Sequence, residues 1–379
     1  MRKSAEIGIE AFCMDGEDTL WCVSKENPSG LYKIDLKTAI MDEFALLPDV
    51  STINAFSNVL IYKDYFVFIP ANEDAIVMFC RGNGTVERIP LPQSQRKIGK
   101  SDIKFFTGVI YEDFLFMFGY SYPGIVKMDL EERRIEIIDS WLSESAFILT
   151  DEMEGCFHTQ YYKKIDTVYF PFMNADAVME FNFKTSKATV HKVGSSGQRY
   201  VSIEWDGTDF WLIPRDGRQG SIVKWNPVRD AVVYYDRYPD GFNYDKYAFY
   251  KTVNVGKEIF VFANRSNMNI SIDVETGEMK ALADIYDTSE KKGCKYRHVE
   301  WRDGRLFFID DRKCIWWDYK SDEKNMISFE YGEKIRSRRK KEELRQQFHD
   351  AKERQIREGE EINLKSLMTY LSLCNESEQ

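Results

Sequence analysis

The chain has 379 residues, 43% of them hydrophobic, 15% aromatic and 30% charged, which excludes a largely disordered protein and supplies enough apolar surface for a sizeable core. Lys and Arg number 52 against 62 Asp and Glu, and the net charge of −10 argues against a general nucleic-acid binder, whose surface must neutralise phosphates. No run reaches the roughly 18–20 uncharged apolar residues that cross a bilayer, and Met1 to Glu6 leads into acidic sequence without an apolar signal core, so a cytoplasmic protein with no membrane span is expected.

Along the chain one short apolar segment recurs: Leu20 to Ser24, Phe66 to Pro70, Leu115 to Gly119, Val168 to Pro171, Phe210 to Pro214, Ile259 to Ala263 and Leu306 to Asp310. These seven copies end 43 to 52 residues apart. Runs this short, aromatic and apolar on both faces read as strands buried between two packed sheets. A turn and another strand precede each copy, as in Val201 to Trp205 before Asp206-Gly207 and Val299 to Trp301 before Asp303-Gly304; Asp-Gly marks a tight hairpin because glycine accepts positive φ without strain. A third strand ending in Asp or Asn follows: Leu31 to Asp35, Ile125 to Asp129, Val178 to Asn182, Ile222 to Asn226 and Ile270 to Asp273. After a turn such as Leu36-Lys37-Thr38, a more polar fourth strand closes the unit.

Four antiparallel strands per period of this length make one propeller blade, so residues 1–332 are expected to form an all-β, seven-bladed β-propeller with each blade contiguous in sequence. A β-sandwich with a second domain is the structural alternative. The repeat resembles the broad propeller superfamily of kelch, WD-repeat, quinoprotein-like and lactonase-like sheets, and Tyr32-Lys33-Ile34-Asp35-Leu36-Lys37-Thr38 is similar to the third-strand turn of the last two groups. The paired glycines of kelch and the Gly-His and Trp-Asp signatures of WD repeats are absent, so the resemblance implies a fold and no family function.

Residues 333–379 change character, with 11 Lys/Arg and 10 Asp/Glu in 47 residues and no proline, and read as a charged helical C-terminal extension. A first helix is expected over Glu333 to Glu358 with a sparse stripe of Leu344, Phe348 and Ala351, and a second from Leu364 with Leu367, Met368 and Leu371 on one face. The second should dock on its own propeller or on a second chain. Because all seven blades precede Gly332, truncation there is expected to leave the propeller folded. The basic run Arg336-Ser337-Arg338-Arg339-Lys340-Lys341 precedes Glu342-Glu343 and reads as a solvated helix face.

The seven cysteines, Cys13, Cys22, Cys80, Cys156, Cys294, Cys314 and Cys374, include no CxxC pair and read as small buried hydrophobes; neither a metal nor a cofactor is expected. Function in a propeller concentrates at the channel mouth, where loops between second and third strands meet the loops between blades. There, blades five to seven would supply Arg199, Arg215, Arg218, Arg265, Arg297 and Arg312, whose forked guanidinium donors suit a carboxylate, phosphate or sulfate. Loop aromatics including Tyr120 and Tyr122, beside Asn174 and Asn264, suit sugar faces and hydroxyls or a peptide. His158 and His298 open inner strands and are the candidate catalytic groups; strand alternation is expected to hold Glu204 and Glu300 near the opposite mouth. The expected function is non-enzymatic binding of a polar, anionic glycan or peptide, or of a partner protein. The alternative is a lyase, hydrolase or lactonase acting on a sugar derivative at the mouth.

Overall fold

The computed structural model describes residues 7–26, 28–47, 50, 52–94, 98–144, 155–215, 220–244, 247–283, 298–310 and 313–358. Within them the strands form seven separate antiparallel sheets, each running from an inner to an outer strand in chain order. Blade one is Ile9–Asp15, Thr19–Ser24, Ser29–Asp35 and Ile40–Leu47, and blade seven is His298–Arg302, Arg305–Asp310, Lys313–Asp318 and Glu323–Ser328. The second strands end at Ser24, Pro70, Gly119, Pro171, Pro214, Ala263 and Asp310, the positions read from the repeat. Their side chains are buried on both faces, as in Phe66 to Ile69 and Phe210 to Ile213, because each sheet packs between two neighbours.

In every blade but the second, whose third strand ends at Cys80 rather than at the expected Asp or Asn, the Asp or Asn closing the third strand builds the next hairpin. Asp35 Oδ1 accepts from the backbone N–H groups of Lys37 and Thr38 at 2.9 Å, and Asp129, Asp273 and Asp318 repeat the arrangement two and three residues on. These backbone donors hold all four carboxyls below the usual carboxylate range. At the Asp303-Gly304 turn both residues are left-handed, with φ 49° and 77°.

Ring closure departs from the sequence reading. Blades one and seven meet in a core of Ile9, Leu20, Phe307, Ile309 and Cys314, into which Phe329 and Ile335 also insert. After blade seven the chain returns to blade one, where Glu330–Tyr331 adds a parallel fifth strand opposite Ile40 and Met41. The helix Glu333–Glu358 follows at once. Ile335 is 0% exposed, and Arg338 reaches both Glu43, whose side chain is 3% exposed, and the Tyr32 hydroxyl at 2.9 Å. Lys334 Nζ holds the other Glu43 oxygen at 3.1 Å, and Arg339 lies over the Tyr331 ring. The opening turns of the helix therefore belong to the closure of the ring, and part of the basic run faces blade one. The expected second helix from Leu364 lies outside the described residues.

Candidate functional site

The inner strands surround a central cavity of about 540 Å³. Five of them carry an extra residue near their start: Glu10, Ser57, Phe106, Val201 and Tyr250 each stand unpaired where two residues face one on the second strand. Such a bulge breaks strict alternation and re-aims side chains, so that neighbours such as Tyr250 and Lys251 both line the cavity. Outside this ring, backbone latches join neighbouring blades: Asn54 N donates to Lys25 O, Lys104 N to Ala71 O, Cys156 N to Tyr120 O and Tyr200 N to Phe172 O, at 2.8–3.2 Å. The mouth is thus fixed by main-chain hydrogen bonds between blades.

Lys251 is the hub of the titratable groups in the cavity. His298 Nδ1 lies 3.3 Å from its ammonium, and His298 Nε2 lies 3.1 Å from Glu300 Oε2. An ammonium has only donors, so Nδ1 accepts and the ring proton sits on Nε2, where it is donated to Glu300. Burial, then the Lys251 charge, lower the His298 pKa against the opposing pull of Glu300, so the ring is neutral at pH 7. Burial works against ionisation of Glu300, but the hydrogen bond from His298, helped by the positive charges of Lys251 and Arg302, outweighs it and holds its carboxyl below the ordinary value. Glu204 behaves oppositely: burial pushes its carboxyl up to about 7 despite the Thr252 hydroxyl 3.1 Å away and Lys251. Thr252 and Ser202 meet in a buried hydroxyl pair beside Gln160, whose Oε1 accepts from Ser202 Oγ at 3.0 Å. Burial and Lys251 lower His158 to about 4, and its ring packs 4.2 Å from Phe106. Glu10, across the channel, pairs with Lys25 at 2.6 Å.

The carboxylates and histidines are therefore not segregated to opposite mouths. His298 and Glu300 are two residues apart on one strand, share its channel face and touch. Among the described residues no group of three His, Cys, Asp or Glu is placed to hold a metal ion.

The predicted arginines divide. Arg297, Arg312 and Arg218 lie outside the described residues. Arg215 is not a surface donor: it is 2% exposed, gives Nη1 to the Met173 carbonyl at 2.9 Å and stacks over Tyr247. Arg265 is exposed over the same ring, with no carboxylate partner among the described residues. Arg199 is half-buried, and its carbonyl accepts from Arg215 N. The loop aromatics expected to be exposed are largely buried. Tyr122 donates its hydroxyl to Pro92 O at 2.7 Å, Tyr238 stacks on Phe242, and Tyr120 packs edge-on against Phe106. Asn174 is buried against Cys156, and Asn264 is half-buried with its N–H bound to Ala248 O. Lys251, Asn58, Gln160 and Phe106 went unpredicted, although Lys251, Thr252 and Asn254 interrupt an apolar inner strand with polar residues.

No family model and no curated protein matches the chain. Solved structures similar to it include BamB from Moraxella catarrhalis, at TM-score 0.51 and 11% identity over 80% of each chain. U3-55K matches at TM-score 0.51 and 9% identity over 81% of this chain and 89% of that one. The extracellular domain of BT4673 from B. thetaiotaomicron, described as a hybrid two component system, matches 82% of this chain at TM-score 0.50 and 12% identity, while this chain spans 38% of it. At such identities the likeness shows the fold alone, a β-propeller, and the blade count comes from the strands themselves: this is a seven-bladed propeller.

Proposed function

We propose that this propeller is a binding protein whose ligand enters the central channel, and that the ligand is polyhydroxylated, such as the end of a glycan. The observation that supports this is the lining of the 540 Å³ cavity, a volume within the roughly 300–1,000 Å³ usual for small-ligand sites. Carboxylates, amides and an ammonium (Glu10, Asn58, Glu204, Lys251, Asn254) alternate with the rings of Phe106 and Tyr250. Carboxylates accept from sugar hydroxyls, amides and the ammonium donate to them, and aromatic faces cover the C–H face of a pyranose. Glu10 is paired with Lys25, burial keeps a proton on much of the Glu204 population, and Glu300 is balanced by Lys251, so the channel suits an uncharged ring. Titration calorimetry with neutral and uronic-acid oligosaccharides tests this. Phe106→Ala and Asn58→Ala should each weaken binding by about tenfold, ~1.4 kcal/mol. Binding unchanged in the two channel variants would overturn the reading.

A partner protein is the second reading, favoured by blade five. Its outer strand Ala231–Tyr235 contains no charged residue, whereas Val86–Pro90, Lys187–Lys192 and Glu323–Ser328 do, and Val233 and Tyr234 are 49% and 45% exposed. An uncharged outer edge accepts an extended segment of another protein by strand addition. Val233→Lys should then abolish capture of such a peptide selected by display, without changing the calorimetry; capture that survives the substitution refutes strand addition there.

A further inference from the structure

We propose that Lys251 is a reactive amine that captures an aldehyde or ketone carbonyl as a Schiff base, with His298 and Glu300 as its proton relay. The inference uses the channel as the ligand site but does not need the ligand to be a glycan; an open-chain sugar is one carbonyl of the right class.

The geometry supplies each part. Lys251 Nζ faces the cavity 3.3 Å from His298 Nδ1, the one ring nitrogen free to accept, and Nε2–H is already given to Glu300 at 3.1 Å. A proton leaving the ammonium therefore has a base in contact, and the imidazolium formed is stabilised by the carboxylate behind it, the arrangement by which an orienting acid supports a base that activates a nucleophile. Glu204 and His158 also feel the Lys251 charge. Burial keeps a proton on much of the Glu204 population near neutrality and keeps His158 neutral, so Glu300 is the only one of these groups held as a carboxylate, and it faces the amine through His298.

The step balances. Lys251 passes one proton to His298 Nδ1, and the neutral amine attacks the carbonyl carbon while the C=O π pair moves to oxygen. A proton shift from nitrogen to oxygen gives the neutral carbinolamine. His298 returns its proton to the hydroxyl, water leaves, and the nitrogen lone pair closes the C=N bond, leaving a protonated imine and a neutral His298. No oxidant or reductant is consumed.

The test uses the full chain with glyceraldehyde as probe and cyanoborohydride, which delivers hydride to the C=N carbon and fixes the adduct as a secondary amine, read by peptide mass spectrometry. At pH 7 Lys251 should be labelled at least ~10-fold faster than the median surface lysine, whose pKa is ~10.4. His298→Gln and, as the milder change, Glu300→Gln should slow labelling at Lys251 while the other lysines in the same sample, serving as internal controls, keep their rates. Labelling of Lys251 no faster than the surface lysines overturns the proposal, as does rapid labelling that both variants leave unchanged. Neither result bears on oligosaccharide binding, which calorimetry reads separately.

Discussion

Replacing Arg338 by Ala tests whether the helix start is part of ring closure or a solvated appendage. Arg338 holds one oxygen of Glu43 and donates to the hydroxyl of Tyr32, which is itself 0% exposed. Removing one partner of a buried ion pair costs ~3–5 kcal/mol, because the remaining charge keeps its desolvation penalty. Here Lys334 retains the second Glu43 oxygen and the Arg338 side chain is 26% exposed, so a smaller loss of roughly 2–3 kcal/mol follows. Urea unfolding should show that loss at unchanged m-value, and the melting temperature should fall by about 3–5 °C for a domain of this size. Arg336→Ala, an exposed position in the same basic run, should change stability by no more than ~0.5 kcal/mol. If the two variants unfold alike, the contacts of Arg338 contribute nothing and the helix is an appendage after all.

Truncation after Lys340 should leave stability near that of the full chain, whereas truncation after Gly332 removes Ile335 with its buried contacts and should cost at least ~2 kcal/mol more by urea unfolding. Glu204, raised to about 7, keeps its proton in the folded state while the unfolded chain ionises. Its contribution is therefore full below the ordinary Glu range and is lost as pH rises through about 7, so Glu204→Gln should be near neutral at pH 4 and stabilise by roughly 2–3 kcal/mol at pH 8. Arg215→Ala should cost roughly 1.5–3 kcal/mol through the lost Met173 hydrogen bond, against ~0.5 or less for Arg265→Ala, compared by thermal melting. A Cβ on Gly155 would lie 1.9 Å from Tyr120 O, so Gly155→Ala should break the latch between blades three and four and speed amide exchange at Cys156.

The blade count was legible because the second strand is buried on both faces in every blade, which forces one apolar run per period whatever the outer strands do. The Asp and Asn at third-strand ends were legible for a related reason, since their turn contacts are local in sequence. What escaped depends on contacts distant in the chain. Glu330–Tyr331 and Ile335 look like the approach to a charged helix until they meet Ile40, Met41 and the blade one core. The bulges at Glu10, Ser57, Phe106, Val201 and Tyr250 involve no glycine, so nothing in the sequence marks where alternation breaks, and Lys251 was missed as a channel residue in consequence; Glu300 lies on an inner strand without a bulge, where ordinary alternation puts it on the face of His298. Arg215 read as a ligand donor because its partner, a Met173 carbonyl on the previous blade, has no sequence signature.

The central claim, that the channel is the ligand site, is tested most directly by a crystal structure of the chain soaked with the tightest-binding oligosaccharide from the calorimetric panel. The account predicts sugar density between Phe106 and Tyr250, within hydrogen-bond reach of Lys251. Density confined to the outer strands or the helix, with water alone in the channel, would contradict it.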